Sequence, residues 1–158
     1  VKKLYILRGL SGSGKSTYAR GRWPDMQADR FRRDCGVPSF PVCVSIDHEF
    51  MDEAGEYEWD IKQLAPKIAS ANIRLVRLLR DGVETVIVDN THSRLWEYHL
   101  ALDLAYAFGY EDVIISLYDG GCTDEELFER CVHNVPLEII AGQRERWEPH
   151  PDEIVVGS

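Results

Sequence analysis

Between residues 9 and 16 the chain reads Gly9-Leu10-Ser11-Gly12-Ser13-Gly14-Lys15-Ser16, and few folds are open to a sequence carrying that octet. It fits G-x-x-x-x-G-K-[ST] without a mismatch, and its flanks supply the context the pattern needs. Leu4–Arg8 is a short apolar run that reads as a strand. A helix is expected from about Lys15 to just before Trp23, because the residue preceding Pro24 disfavours helix. A strand that turns through glycines into a helix aims successive backbone N–H groups at one point and adds the positive end of the helix dipole. Gly9, Gly12 and Gly14 let the backbone curl, and Ser11, Ser13 and Thr17 complete the expected contacts to a nucleotide. Lys15 supplies a cation for the β- and γ-phosphates, and the Ser16 hydroxyl is the expected ligand for Mg²⁺. The octet says nothing about what receives a phosphate.

The rest of the chain alternates strand and helix, which predicts an α/β fold of the P-loop NTPase type. A parallel sheet of four to five strands is expected, flanked by helices and carrying a short helical lid. Val42–Ile46, Thr85–Val88 and Val113–Tyr118 read as strands, and Ile154–Val156 as a short fifth. Residues 61–80 place Leu64, Ile68, Ala71, Leu75 and Leu78 on one helical stripe, closed by Gly82. Leu95, Tyr98, Leu102 and Ala105 mark a second helix, ended by Gly109. Thr123 and Glu126 have capping-box spacing for a short helix reaching about Cys131, and Pro136 suits the first turn of a last one. Residues 24–41, with three prolines and no clear period, read as a long loop. With 158 residues and no linker, residues 1–158 are expected to form a single domain.

Charge narrows the partners. Eighteen Lys and Arg stand against 27 Asp and Glu, a net charge of −9. Residues 1–34 run the other way, with nine basic and three acidic side chains. An acidic bulk disfavours non-specific binding to long nucleic acid, while a local basic mouth at the glycine-rich loop can still hold phosphates. No apolar run approaches the roughly 20 residues of a membrane span. The first residues do not read as a signal peptide, because glycines interrupt any apolar stretch. Cys35, Cys43, Cys122 and Cys131 fit no metal-ligating spacing. They read as reduced thiols of a cytoplasmic protein.

Phosphoryl transfer needs a base on the acceptor side and positive charge around the migrating group. Asp47 and Asp89 both end expected strands, the edge at which open α/β sheets bind ligands. Either could take a proton or orient Mg²⁺, and either could instead cap a helix. Arg130 lies near the end of the helix over 123–132. Glu126 four residues earlier offers it an ordinary surface pair, and spacing alone favours that pairing. Arg30, Arg32 and Arg33 lie in the long loop, where contact with acceptor phosphates and plain solvation are equally open. His48, His99, His133 and His150 are expected to be structural or exposed. Trp96 and Trp147 are expected to pack in the core or against helices.

Several ordered segments resemble one family: LRGLSGSGKSTYAR (7–20), SIDHEF (45–50), YEWD (57–60), VIVDNTHSRLWE (86–97), ERCVHNVP (129–136) and RWEPHP (146–151). Over about residues 3–148 the chain resembles the P-loop module of polynucleotide 5′-hydroxyl kinases. It is especially similar to the NEDD4-binding-protein-2-like and the phage and bacterial RNA-repair branches. The resemblance implies an ATP- and Mg²⁺-dependent kinase acting on the 5′-hydroxyl of RNA or DNA in end repair. Lys15 and Ser16 would then handle phosphates and metal, and Asp47 would be the general base. Arg130 would bridge donor phosphates from the lid, and Asp89 would organise the acceptor side or the lid arginine. The chain departs from the family at Cys131 and His92, where asparagine is frequent, and at Phe50, where some phage kinases carry an acceptor-phosphate arginine. The Lys15–Asp47 interval is longer than usual, so its arginines are expected to replace the missing one. A ligase or phosphatase would have to be a separate protein. Two rivals remain: a kinase for a small metabolite or nucleoside, and a nucleotide-binding interaction module without transfer.

Overall fold

The computed structural model describes residues 1–33 and 36–156. Asp34, which enters the charge count of the basic segment, and Cys35, one of the four thiols, lie outside the described residues.

Six parallel strands form one sheet in the order β2-β3-β4-β1-β5-β6. They are β1 (Lys3–Gly9), β2 (Gln27–Ala28), β3 (Val42–Val44), β4 (Thr85–Asp89), β5 (Glu111–Tyr118) and β6 (Ile154–Val155). The five expected strands are all present. The sixth is β2, two residues within the segment read as loop, paired to Val42 and Cys43. The glycine-rich loop leaves β1, which runs between β4 and β5 at the middle of the sheet. Leu4, Ile6 and Leu7 are fully buried there, and burial on both faces is why the run does not alternate.

Helices α1 (Lys15–Arg22), α2 (Ile46–Glu49), α3 (Leu64–Asp81), α4 (His99–Ala107), α5 (Asp124–Arg130) and α6 (Leu137–Arg146) join the strands. On one face Ala71, Leu75 and Leu78 of α3, with Tyr98, Ala101 and Ala105, pack against Leu4, Ile6 and Val86. Gly82 ends α3 in the left-handed conformation at φ 78°. The stripe is shorter than its periodicity suggests, since Ile68 is exposed and burial begins at Ala71. On the other face Ala19 and Trp23 cover Tyr5, Ile87 and Ile115. A third cluster of Leu10, Leu127 and Ile140 fixes α5 and α6 to the glycine-rich loop. Thr123 caps α5 through the expected reciprocal box with Glu126.

Three expectations are corrected. Arg8, counted in the basic mouth, is fully buried. Its guanidinium donates to the carbonyls of His92, Ser93 and Glu148 and to Glu153 Oε2 at 2.7 Å, and it stacks 4.0 Å from the Trp147 ring centroid. It closes the fold and offers no charge to a ligand. Trp96 does not pack inside, being 71% exposed. The strand expected to run to Ile46 stops at Val44, where Ser45 caps α2. Among the described residues no helix is long and apolar enough to cross a membrane.

Candidate active site

The turn from β1 into α1 depends on its glycines. Gly12 and Gly14 sit at φ 81° and 102°, conformations that L side chains rarely adopt. A Cβ on Gly12 would also fall 2.3 Å from the Leu127 carbonyl oxygen, so α5 rests directly on the loop. Lys15 Nζ donates to the Gly9 carbonyl at 2.9 Å and lies 3.5 Å from that of Leu10. The loop thus holds the ammonium on its own oxygens. Ser13 Oγ is buried without a hydrogen-bond partner. Ser16 and Thr17 are exposed at the start of α1, whose N-cap is Gly14 with no side-chain acceptor. The first-turn N–H groups there have no partner within the helix.

Arg130 comes to the same place from the end of α5. Its Nη2 lies 3.3 Å from where a Cβ on Gly14 would stand, and its Nη1 donates to Cys122 Sγ at 2.8 Å. The Glu126 side chain that spacing offered to Arg130 serves the α5 cap instead. The lid is anchored at its N-terminal part. Leu127 is fully buried, and Arg144 of α6 donates to Asp124 Oδ1 at 2.7 Å and to the Cys122 carbonyl at 2.8 Å. The neighbouring Gln143 holds the loop itself, accepting from Ser11 N and donating to Ser11 Oγ, both at 3.0 Å.

The two acidic candidates approach from β3 and β4. Asp47 is exposed on α2, just beyond the end of β3, and capping there belongs to Ser45, whose Oγ accepts from Asp47 N. Asp89 ends β4. Burial holds its carboxyl above the ordinary carboxylate range; Lys15 opposes that shift and Asp47 adds to it. Asp89 therefore feels both Lys15 and Asp47. Asn90 ties the two acidic segments together, its Oδ1 accepting from Ile46 N at 2.8 Å. His92 is buried and kept neutral, its pKa pushed down to about 3 chiefly by burial. In the neutral ring Nδ1 donates to the Leu7 carbonyl at 3.1 Å, which locks the chain after Asn90 onto β1.

The structure thus gathers the octet, Lys15, Asp47, Asp89 and Arg130 at one edge of the sheet. It does not gather the loop arginines there as a set. Arg30 and Arg74 pair with the buried Glu49, at 3.4 and 3.0 Å, and Arg32 pairs with Asp29 at 3.2 Å. Arg33 is exposed. It lines a cleft of about 360 Å³ between residues 30–33 and 51–55, whose wall includes Phe31, Asp52 and Glu53. Phe50, where an acceptor arginine was missing, is buried under Trp59.

Sequence reasoning assigned no role to Gln143, Cys122 or Tyr57. Tyr57 donates to Asp47 Oδ1 at 3.2 Å. The one available signal was its presence in YEWD, in a segment without a period.

A family model described as an AAA domain (AAA_33) matches residues 4–149. The human protein NEDD4-binding protein 2 is 28% identical over 147 residues, which is 92% of this chain and 8% of that protein. A chain of the Pnkp1/Rnl/Hen1 RNA repair complex superposes with a TM-score of 0.64 at 22% identity, covering 92% of this chain and 43% of the other. A chain of the AvrRxo1-ORF1:AvrRxo1-ORF2 complex, solved with sulphate ions, gives 0.53 at 16% identity over 82% of this chain and 40% of that one. The chain therefore spans less than half the length of each of these relatives.

Proposed function

This chain belongs to the AAA domain family, and from that premise we propose that it is a P-loop kinase that moves the γ-phosphate of ATP to the 5′-hydroxyl of a polynucleotide. The observation that carries the reading is the meeting of Lys15 and Arg130 at the glycine-rich loop, with an exposed Asp47 beyond the end of β3 acting with Lys15 on the buried Asp89. A binding module needs the loop and the lysine. It has no need of an open carboxylate close to Asp89, the buried carboxyl that also feels that lysine.

The residues present fit the donor. The curled backbone, the unpartnered Ser13 hydroxyl and the uncapped start of α1 offer donors to phosphate oxygens. Lys15 would exchange the Gly9 carbonyl for a phosphate. Arg130 would leave Cys122 to meet the spreading charge of the transferring group. Asp47 would accept the proton of the acceptor hydroxyl. Asp89 and Asn90 would hold the two acidic segments in register. Ser16 Oγ would be the protein ligand of Mg²⁺, which would supply neutralisation of phosphate charge. Among the described residues no cluster of three or more His, Cys, Asp and Glu forms a metal site, as suits an ion held mainly by phosphate oxygens and water.

A nucleic-acid acceptor is favoured by the fold shared with a chain of an RNA repair complex and by the order of the VDNT, ERCVHNVP and RWE segments. Residues 1–158 would act as one catalytic unit, in the cytoplasm, with any ligase or phosphatase step carried by groups outside these residues. The net charge of −9 favours the second reading, a kinase for a nucleoside or small metabolite. Labelled γ-phosphate offered with Mg²⁺ to 5′-hydroxyl RNA, DNA and nucleosides separates the two. Label is expected on oligonucleotide ends, and label confined to nucleosides refutes the polynucleotide reading. Asp47→Asn should cut transfer by about 10²- to 10⁴-fold and spare ATP affinity. Full transfer by that variant would remove Asp47 from the mechanism.

A further inference from the structure

Asp47 and Arg130 stand on different elements, and one aromatic contact joins the segments that carry them. Tyr57 donates to Asp47 Oδ1 at 3.2 Å. The same ring stacks on His133, with centroids 4.1 Å apart and planes inclined by 25°. His133 belongs to the stretch that follows α5, three residues after Arg130. Tyr57 is partly buried, and its hydroxyl is held well above the ordinary tyrosine range, first by burial and then by the charge and acceptance of Asp47. It therefore stays protonated and always offers Asp47 a donor.

The anchoring of the lid gives this contact its meaning. The N-terminal part of α5 is fixed by Leu127 and by Arg144. Its C-terminal end is not: Arg130 is exposed and met by the Cys122 sulfur, and the segment beyond runs through Asn134 at φ 54°. The loosely held stretch thus runs from Arg130 to Asn134, since Val135 packs against the cluster of Leu10, Leu127 and Ile140, and His133 is the ring within that stretch that touches the acidic side.

We propose that Tyr57 is a positioning residue that couples seating of the lid to alignment of the base. Its hydroxyl fixes the Asp47 carboxylate, and its ring docks His133 when Arg130 is over the loop. The proposal rests on the kinase reading above. An open lid then leaves Tyr57 without its stacking partner, and the carboxylate loses its fixed orientation. A closed lid restores both, so the proton acceptor is in place only while the donor phosphates are covered.

The test uses Tyr57→Phe, Tyr57→Ala, His133→Ala and the Tyr57→Ala/His133→Ala double variant. Two quantities are read: kcat for transfer to a 5′-hydroxyl oligonucleotide, and ATP-induced protection of backbone amides 124–134 from hydrogen exchange. Tyr57→Phe keeps the ring and loses the donor. It should lower kcat about tenfold, leave the KM for ATP within about twofold, and keep lid protection. Tyr57→Ala and His133→Ala should each reduce that protection about tenfold, and the double variant should be no worse than either single one. Unchanged kcat in Tyr57→Phe, or protection losses that multiply in the double variant, overturns the proposal. If the unaltered protein transfers nothing to any 5′-hydroxyl end, the kinase reading fails, while the exchange measurement still decides whether Tyr57 and His133 act as a pair.

Discussion

Arg8 and Arg130 carry the same guanidinium into opposite surroundings. Arg8, near the end of β1, has no exposed surface; three carbonyls and the Glu153 carboxylate take up its donors, and Trp147 covers its face. Arg130, at the end of α5, is exposed and meets a thiol, a weak acceptor. Lys15 resembles Arg130 in this respect, since it rests on carbonyl oxygens of the loop it serves. A cation whose donors are all taken by fixed protein acceptors holds the fold together. A cation held by weak or exchangeable acceptors beside a glycine-rich turn is available to a phosphate. Local density of Lys and Arg in the sequence does not separate the two cases.

That contrast can be broken by substitution. Arg130→Ala should lower phosphoryl transfer by about 10³-fold or more, the scale on which such arginines act. Its thermal midpoint should stay near that of the unaltered protein, because no buried partner is orphaned. A loss of stability matching the loss of rate would make Arg130 structural and erase the contrast. Arg8→Met should do the reverse. It orphans Glu153 and three carbonyls, so unfolding in denaturant should show about 3–5 kcal/mol of lost stability. Any protein that remains folded should keep its ATP affinity. The smallest effect tests the insertion. Arg33→Ala should raise the KM for an oligonucleotide a few-fold and reduce the salt slope of acceptor binding by about 0.7, the worth of one single-strand phosphate contact. An unchanged slope would remove Arg33 from acceptor binding.

Much of this was legible in the sequence, for identifiable reasons. β1, β4 and β5 are apolar runs long enough to stand out, and α3 and α5 carry their own stop and start signals in Gly82 and Thr123. The glycine-rich octet specifies its own backbone, so the donor side could be drawn residue by residue. What failed depended on distant partners. β2 has two residues and no period to detect. Arg8 reads as a surface charge until residues 92, 93, 148 and 153 fold around it. Arg30 reads as part of a basic patch until Glu49 claims it; Arg32 is the local exception, its partner Asp29 standing only three residues earlier. Tyr57 could be seen, but its link to Asp47 and His133 could not, because nothing in the spacing of an irregular segment tells where a ring will lie.

Gln143 and Arg144 are neighbours on α6, and they serve different clients: one grips Ser11, the other the turn before α5. Consecutive residues of an α-helix point about 100° apart, so both grips depend on a single rotational phase. Inserting or deleting one residue between Leu137 and Gln143 would turn both side chains off their targets together. The exposed positions of the same helix, such as Ile139 and Glu145, can change in kind without that penalty. Length within α6 should therefore be held far more tightly than the identity of its outward residues, as a key tolerates a new coat of paint but not an added tooth.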